Sequence, residues 1–338
     1  NVHLKALKNA LGDDVEFEGI FDASLGKPIV DLRALAIMGF VDALKKLPFF
    51  FKLADRMVER AEQCDKVLLM DSSGFNLPLA KKLKKRYPDK EIIYYILPQA
   101  WAWKRKRILV LKRTIDRLAS ILPFEREYYS PDAPIEYVGH PLLDEIKHFK
   151  ETASPKIKRV AFMPGSRKSE IRRLMPLFRE VRSRLNAEAV LVVPRHFSKE
   201  ELNDIYGNLS LFIVAHDAHE ALLKSDFAFI CSGTATLEAS LIGTPFVLAY
   251  VAKPIDYLIA KALVKLDYIG LANIMFSRFK GRALHPELIQ GDVTANALFN
   301  AMNRIDRAAF IEDARALRGY LKHGSSVRVA QIINEEEV

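Results

Sequence analysis

Followed along the chain, the apolar positions alternate between two rhythms. Short runs at Val15 to Ile20, Lys66 to Asp71, Glu91 to Leu97 and Arg117 to Leu122 are β-branched and apolar, the character of buried strands. Between them, Phe51 to Glu62, Leu77 to Arg86 and Lys104 to Ile115 repeat their apolar residues at helical spacing. Strand and helix in succession predict a parallel sheet joined by helical crossovers. The rhythm pauses over the charged stretch His148 to Lys158, which contains Pro155 and reads as a linker. A second series follows, with strands at Arg159 to Met163, Ala189 to Val193, Leu209 to Val214, Phe227 to Cys231 and Pro245 to Tyr250. Helical character resumes at Thr294 to Ile305 and Ala308 to Leu321, and Ser325 to Asn334 reads as a last helix crossing back to the first domain. The expectation is an α/β chain of two doubly wound parallel-sheet domains, residues 1–155 and 156–320, with 321–338 returning to, or swapped onto, the first. NVHLKALKNAL opens directly as an amphipathic helix, so an additional strand and loop are expected ahead of Asn1.

Composition sharpens this picture. At 338 residues the chain is about twice the usual single-domain length, and half of it is hydrophobic, which excludes a disordered protein. Cys64 and Cys231 are far apart and carry no pairing motif, pointing to a reducing compartment. No stretch approaches the roughly 18 apolar residues that cross a bilayer. The formal charge of +9 is concentrated: Lys81 to Arg117 holds thirteen basic and three acidic residues, an excess larger than that of the whole chain. Such a patch suits nucleic acid, an anionic membrane or a phosphorylated substrate. KKLKKR at Lys81 to Arg86 reads as a solvated helix face, whereas Trp103, Lys104, Arg105 and Arg107 combine aromatic and basic character suited to an interface. The greasy segment Ala36 to Met57, with Met38, Phe40, Phe49, Phe50 and Phe51, is core by default. If exposed, it is a lipid-facing surface, with Lys45, Lys46 and Lys52 toward lipid phosphates.

Open α/β sheets bind ligands beyond the carboxyl ends of their strands, which directs attention to three turns. In MetProGlySerArg, Met163 to Arg167, Gly165 lets backbone approach a ligand and Ser166 and Arg167 offer donors to an anion; an ordinary strand-to-helix turn has the same look. In CysSerGlyThrAlaThrLeuGlu, residues Ser232, Gly233 and Thr234 open a helix whose first N–H groups suit a phosphate, with Glu238 one turn inside, placed to accept from sugar hydroxyls. This is neither a P-loop nor a GxGxxG fingerprint. Two anion-ready turns in one domain point to a nucleoside diphosphate. Asp71 ends an apolar strand in MetAspSerSerGlyPheAsn, where a carboxylate serves as a general base or equally as the cap of a following helix. His216 and His219 stand at i, i+3 without a HExxH or cysteine partner, which argues against zinc.

Taken together, LeuAlaIleMetGlyPhe at Leu35 to Phe40, the Asp71 segment, TrpAlaTrpLysArgLysArg, LeuProPheGlu at Leu122 to Glu125 and ValGlyHisPro at Val138 to Pro141 resemble the lipid-A-disaccharide synthase family. ProGlySerArg, SerGlyThrAlaThrLeuGlu and LeuValLysLeuAspTyr at Leu263 to Tyr268 extend the resemblance, in the family's order, over nearly the whole chain. The resemblance implies a GT-B glycosyltransferase, two Rossmann-like domains facing a cleft. It implies an inverting transfer from UDP-2,3-diacylglucosamine to 2,3-diacylglucosamine 1-phosphate, giving lipid A disaccharide 1-phosphate and UDP, with no obligatory metal or other cofactor. It further implies a peripheral enzyme at the cytoplasmic face of the Gram-negative inner membrane, a homodimer with exchanged C-terminal segments, and no nucleic-acid partner. Carried over by position, Asp71 matches the essential carboxylate and Arg167 the donor-phosphate arginine. Ser232, Gly233, Thr234 and Glu238 fall in the uridine diphosphate motif, and Asn273 matches the asparagine of a ProAsn pair whose proline is here Ala272. Gly74 stands where many members carry a second aspartate and Leu97 where serine is usual, and the family's opening strand and GlyGlu, SerGlyAsp loop are absent from the sequence, which starts at that loop's end. The rival enzymes are other UDP-sugar GT-B proteins, a UDP-N-acetylglucosamine epimerase or a peptidoglycan glycosyltransferase. A non-enzymatic module binding nucleic acid or membrane through Lys81 to Arg117 leaves both anion-ready turns unexplained.

Overall fold

The structure, a computed structural model, describes residues 2–12, 15–32, 47–253, 257 and 266–335. Met38 and Phe40, with Lys45 and Lys46, lie outside the described residues. The chain divides into two compact units, Asn1–Glu145 with Leu321–Val338, and Ile146–Tyr320.

In the first unit, β3 (Lys66–Met70), β4 (Glu91–Tyr95), β5 (Arg117–Ser120) and β6 (Ile135–Tyr137) form a parallel sheet in that order. Successive residues of a strand point to opposite faces, and this divides the core in two. Leu69, Ile92, Tyr94 and Leu118 pack toward α2 (Leu47–Arg60), α3 (Ser73–Arg86) and α4 (Lys106–Thr114) through Ala54, Leu79, Leu83 and Leu111. Ile93, Tyr95 and Ala119 face the other way, onto Leu7 and Leu11 of α1 (Val2–Leu11) and Val329 and Ile332 of α13 (Ser325–Asn334). The last helix is clamped at its start. The Asp144 carboxylate, in α5 (Pro141–Glu145), accepts from the Gly324 and Ser326 amides at 2.7 and 3.0 Å, and Tyr95 hydrogen-bonds Ser325 at 2.8 Å. Gly139, at φ 90°, lets the Lys322 carbonyl approach so closely that a Cβ would stand 3.0 Å from it. Val15 to Ile20 does not form the expected strand. Only β1 (Ile20–Phe21) pairs, in parallel with β2 (Val30–Asp31), while Val15 and Phe17 pack on the α1 and α13 side as irregular chain.

The second unit holds one six-stranded parallel sheet of β7 (Arg159–Met163), β8 (Glu188–Val192), β9 (Ile213–Ala215), β10 (Phe227–Cys231), β11 (Phe246–Tyr250) and β12 (Glu287–Ile289). Its order is β12-β11-β10-β7-β8-β9. Counted within the unit, this is the 3-2-1-4-5-6 order of a doubly wound dinucleotide-type sheet, which reverses direction between β7 and β10. Phe162, Phe178, Phe212 and Phe229 interlock in its core with ring centroids 5.3 to 6.1 Å apart. The stretch Leu209 to Val214 begins its strand late, because the Leu209 carbonyl turns back to accept from the Phe212 amide.

The unit boundary falls earlier than the linker reading placed it. Residues from Ile146 to Pro155 belong to the second unit: the Lys150 amide donates to the Ile242 carbonyl at 2.8 Å, Glu151 pairs with Arg315 at 2.6 Å, and Arg307 holds the Ser154 carbonyl at 2.7 Å. Polar composition suggested a free linker; those polar groups are engaged by the unit.

Candidate active site

In the second unit the chain leaves β7 through Pro164 and Gly165 and enters α6 (Lys168–Ser183), and leaves β10 through Ser232 and Gly233 into α9 (Thr234–Ile242). Because Met163 pairs with Ile230 across the two strands, the two turns are neighbours at the point where the strand order reverses. Gly165, at φ 100°, occupies the left-handed region, and a Cβ there would stand 2.7 Å from Glu170 Oε2 and 3.2 Å from Cys231 Sγ. Glycine is therefore required both by conformation and by space. Ser166 and Arg167 are exposed, and Arg167 Nη1 donates to Glu170 Oε1 at 2.8 Å. The Glu170 carboxylate raises the arginine pKa further, and Glu170 itself is buried. Beside it, burial and the Glu170 charge push the Cys231 thiol up to about 12, so it stays protonated and is no nucleophile.

The starts of these two helices lack the side-chain caps that most others in the unit carry. Ser198 caps α7 (Lys199–Tyr206) in a capping box, Asp217 caps α8 (Ala218–Lys224) and Thr294 caps α11 (Ala295–Arg304). Glu287 accepts from the Ile269 and Gly270 amides before α10 (Leu271–Lys280), and Asp306 from the Ala308 and Ala309 amides of α12 (Arg307–Leu321). Apart from α10, which also lacks a side-chain cap but whose two preceding amides Glu287 holds, only α6 and α9 among the described helices of this unit have no side-chain cap. Each leaves the positive end of its dipole and its first amides for another acceptor, which is what an anion needs. The hydroxyl of Thr236 turns inward to the Gly233 carbonyl at 2.7 Å.

Glu238 lies one turn into α9, half-buried, and its Oε1 accepts from Nδ1 of His219 at 3.1 Å. Sequence reasoning set His219 aside as a poor zinc ligand; its partner is brought to it by folding. Asn273 is elsewhere. Fully buried in α10, it donates to the His285 carbonyl and Glu287 Oε1 at 2.9 and 2.8 Å and accepts from the Leu284 and His285 amides at 2.7 and 3.0 Å. Both donors and both lone pairs are engaged, so Asn273 latches α10 to the residues before β12 and has nothing left to give a ligand.

In the first unit, Asp71 follows β3 with φ 49°, and Ser72 follows with φ 31°. Two successive non-glycine residues in the left-handed region cost roughly 1 kcal/mol or more each and persist only where neighbours hold them. Here the Asp71 amide donates to the Tyr95 carbonyl at 3.2 Å, while its carbonyl accepts from Asn76 Nδ2 at 3.0 Å and from the Tyr94 hydroxyl. The backbone is pinned and the carboxylate is exposed. Helix α3 begins at Ser73, earlier than Leu77, and no side chain caps it; Asp71 is not its cap.

Arg107 Nη1 donates to Ser73 Oγ at 2.9 Å, which brings the basic segment to the Asp71 turn. The two tryptophans part company. Trp101 is buried edge-on to Phe124 with centroids 4.9 Å apart, whereas Trp103 is exposed under Lys104 at 4.1 Å and Arg107 at 5.8 Å. Arg105 lies 5.8 Å from the Tyr128 ring. On α2, Phe49 and Phe51 are exposed, Phe51 with Lys82 over its ring at 5.7 Å, and Phe50 turns to Phe75. Among the described residues no cluster of three acidic, histidine or cysteine side chains could hold a metal, and no helix is long and apolar enough to cross a membrane.

This geometry has relatives. Residues 1–314 match the model of the lipid-A-disaccharide synthetase family. The lipid-A-disaccharide synthase of Helicobacter pylori (strain ATCC 700392 / 26695) is 49% identical over 344 residues, covering 98% of this chain and 94% of that protein. Among solved structures, the glycotransferase of kitacinnamycin superposes with a TM-score of 0.61 at 15% identity, over 98% of this chain and 94% of the other. Acinetobacter baumannii MurG gives 0.50 at 17% identity, over 85% and 78%. At these identities the structures speak for the fold, that of GT-B glycosyltransferases. Family match and sequence identity speak for the rest, and the chain belongs to the lipid-A-disaccharide synthetase family.

Proposed function

We propose that the chain transfers the acylated glucosamine of UDP-2,3-diacylglucosamine to the 6-hydroxyl of 2,3-diacylglucosamine 1-phosphate, with inversion, releasing UDP. The observation that carries this reading is the pair of uncapped helix starts on neighbouring strands at the reversal of the sheet, with Gly165 and Arg167 beside them. The diphosphate of the donor is received by the amides after Gly165 and Gly233 and by Arg167. Asp71 accepts the proton of the acceptor hydroxyl as its oxygen bonds to the anomeric carbon. The bond from that carbon to the β-phosphate oxygen breaks, and UDP leaves with the electron pair. Negative charge grows on the phosphate in this step, and the two helix dipoles and Arg167 are oriented beforehand to stabilise it. Fixed donors of this kind fill the place of a cation, so the reading includes no obligatory metal.

The exposed Phe49, Phe51 and Trp103 with Lys52, Lys82, Lys104, Arg105 and Arg107 suit an acylated, phosphorylated acceptor at an anionic membrane surface. The proposal includes peripheral attachment at the cytoplasmic face of the inner membrane and a homodimer. The direct test is formation of disaccharide from the two acylated sugars with EDTA present. Wild type is expected to turn over, and Asp71→Asn to lose at least about a hundredfold in kcat while still binding UDP. Turnover of unacylated UDP-N-acetylglucosamine in its place supports a rival UDP-sugar enzyme, and an active Asp71→Asn removes Asp71 from the base role.

A further inference from the structure

We infer that His219 is a positioning residue of the donor site: its Nδ1–H holds the Glu238 carboxylate in the orientation that receives the ribose hydroxyls of a uridine nucleotide. The inference rests on the reading of Glu238 as a nucleotide ligand.

His219 stands in the first turn of α8, which follows β9 and packs against α9. It therefore approaches from the carboxyl end of the sheet, where the open turn of α9 also lies. The contact between His219 Nδ1 and Glu238 Oε1 is 3.1 Å. An ionised carboxylate only accepts, so the hydrogen sits on Nδ1. With one oxygen committed to this donor, the plane of the carboxylate is set, and with it the directions in which both oxygens accept.

The side chains of His219 and Glu238 are 35% and 20% exposed, so core packing does not fix them. A pair so open to water adds little to folding stability. Its effect is orientation, at a carboxylate one turn inside the helix assigned to the diphosphate. The neighbouring His216 uses the same ring atom differently: its Nδ1–H donates to the Val193 carbonyl at 2.8 Å, tying the residue after β9 to the end of β8. The i, i+3 spacing of the two histidines is thus accounted for by one anchor to the sheet and one to the carboxylate assigned to the ligand.

The test is calorimetric titration of the whole chain with UDP and with 2′,3′-dideoxy-UDP, for wild type, His219→Ala, His219→Asn and Glu238→Gln. His219→Ala is expected to weaken UDP about five- to tenfold, the size of one charge-assisted hydrogen bond, and to leave the dideoxy nucleotide unchanged. His219→Asn, whose amide nitrogen falls close to the position of Nδ1, is expected to bind UDP within about twofold of wild type. Unchanged UDP affinity in His219→Ala overturns the inference, as does an equal loss for both nucleotides, which marks a merely structural role. If Glu238→Gln keeps the wild-type ratio between the two nucleotides, Glu238 does not meet the ribose, and the reading beneath the inference is the part that fails.

Discussion

Gly165 and Glu125 show how single residues are fixed by what surrounds them. At Gly165 the left-handed backbone and the nearness of Glu170 and Cys231 leave no room for a methyl group. Glu125 is sealed in the first unit, accepting from Ser120 Oγ, and burial pushes its carboxyl up to about 7. An unfolded glutamate releases its proton near 4.5, so between pH 4.5 and 7 the folded chain binds more protons and stability falls as pH rises. The loss above pH 7 is on the order of 3 kcal/mol. Glu125→Gln is therefore expected to melt higher than wild type at pH 8, with the difference shrinking toward pH 5; a difference independent of pH contradicts a protonated Glu125. That Asp71, Arg167 and the Ser232 to Thr234 turn follow the carboxyl ends of strands was legible in the sequence, because each turn comes directly after a continuous apolar run. The groups that hold Asp71 in place, Tyr94 and Asn76, were not legible, since only folding sets a strand of one register beside a turn of another. Asn273 carried a family pattern, yet its amide is consumed inside the protein.

Elements were most readable where their apolar run is continuous. Each residue of β10, Phe227 to Cys231, is buried, and the strand runs as its sequence suggests. Val15 to Ile20 misled because Glu16 and Glu18 interrupt it, and its apolar residues satisfy themselves by packing without a ladder. Periodicity also announced α2 over Phe51 to Glu62, but not its start at Leu47, its inner face at Leu53 and Ala54 or the purpose of its first turn. Phe49 and Phe51 are exposed there, against the core default, at the start of a helix packed on the one that follows Asp71. Replacing both with serine is expected to release the chain from anionic phospholipid vesicles in a flotation assay, with UDP affinity unchanged. Vesicle binding equal to wild type assigns the attachment to other residues.

At the scale of the molecule, alternation of strands and helices was enough to announce two doubly wound units, but not where the chain passes between them. Lys150 and Glu151 look like linker residues by composition and are tied to the second unit by partners far along the chain, Ile242 and Arg315. The strand order, which locates the reversal between β7 and β10, was equally hidden, because crossover direction is not written in the apolar pattern. That reversal sets the two turns side by side, as the proposed diphosphate site requires. A crystal structure of the chain with UDP reads this out directly. The account predicts phosphate oxygens within hydrogen-bonding distance of the amides of the Gly233 turn and of Arg167. UDP bound away from the β7 and β10 turns, with both left to solvent, contradicts it.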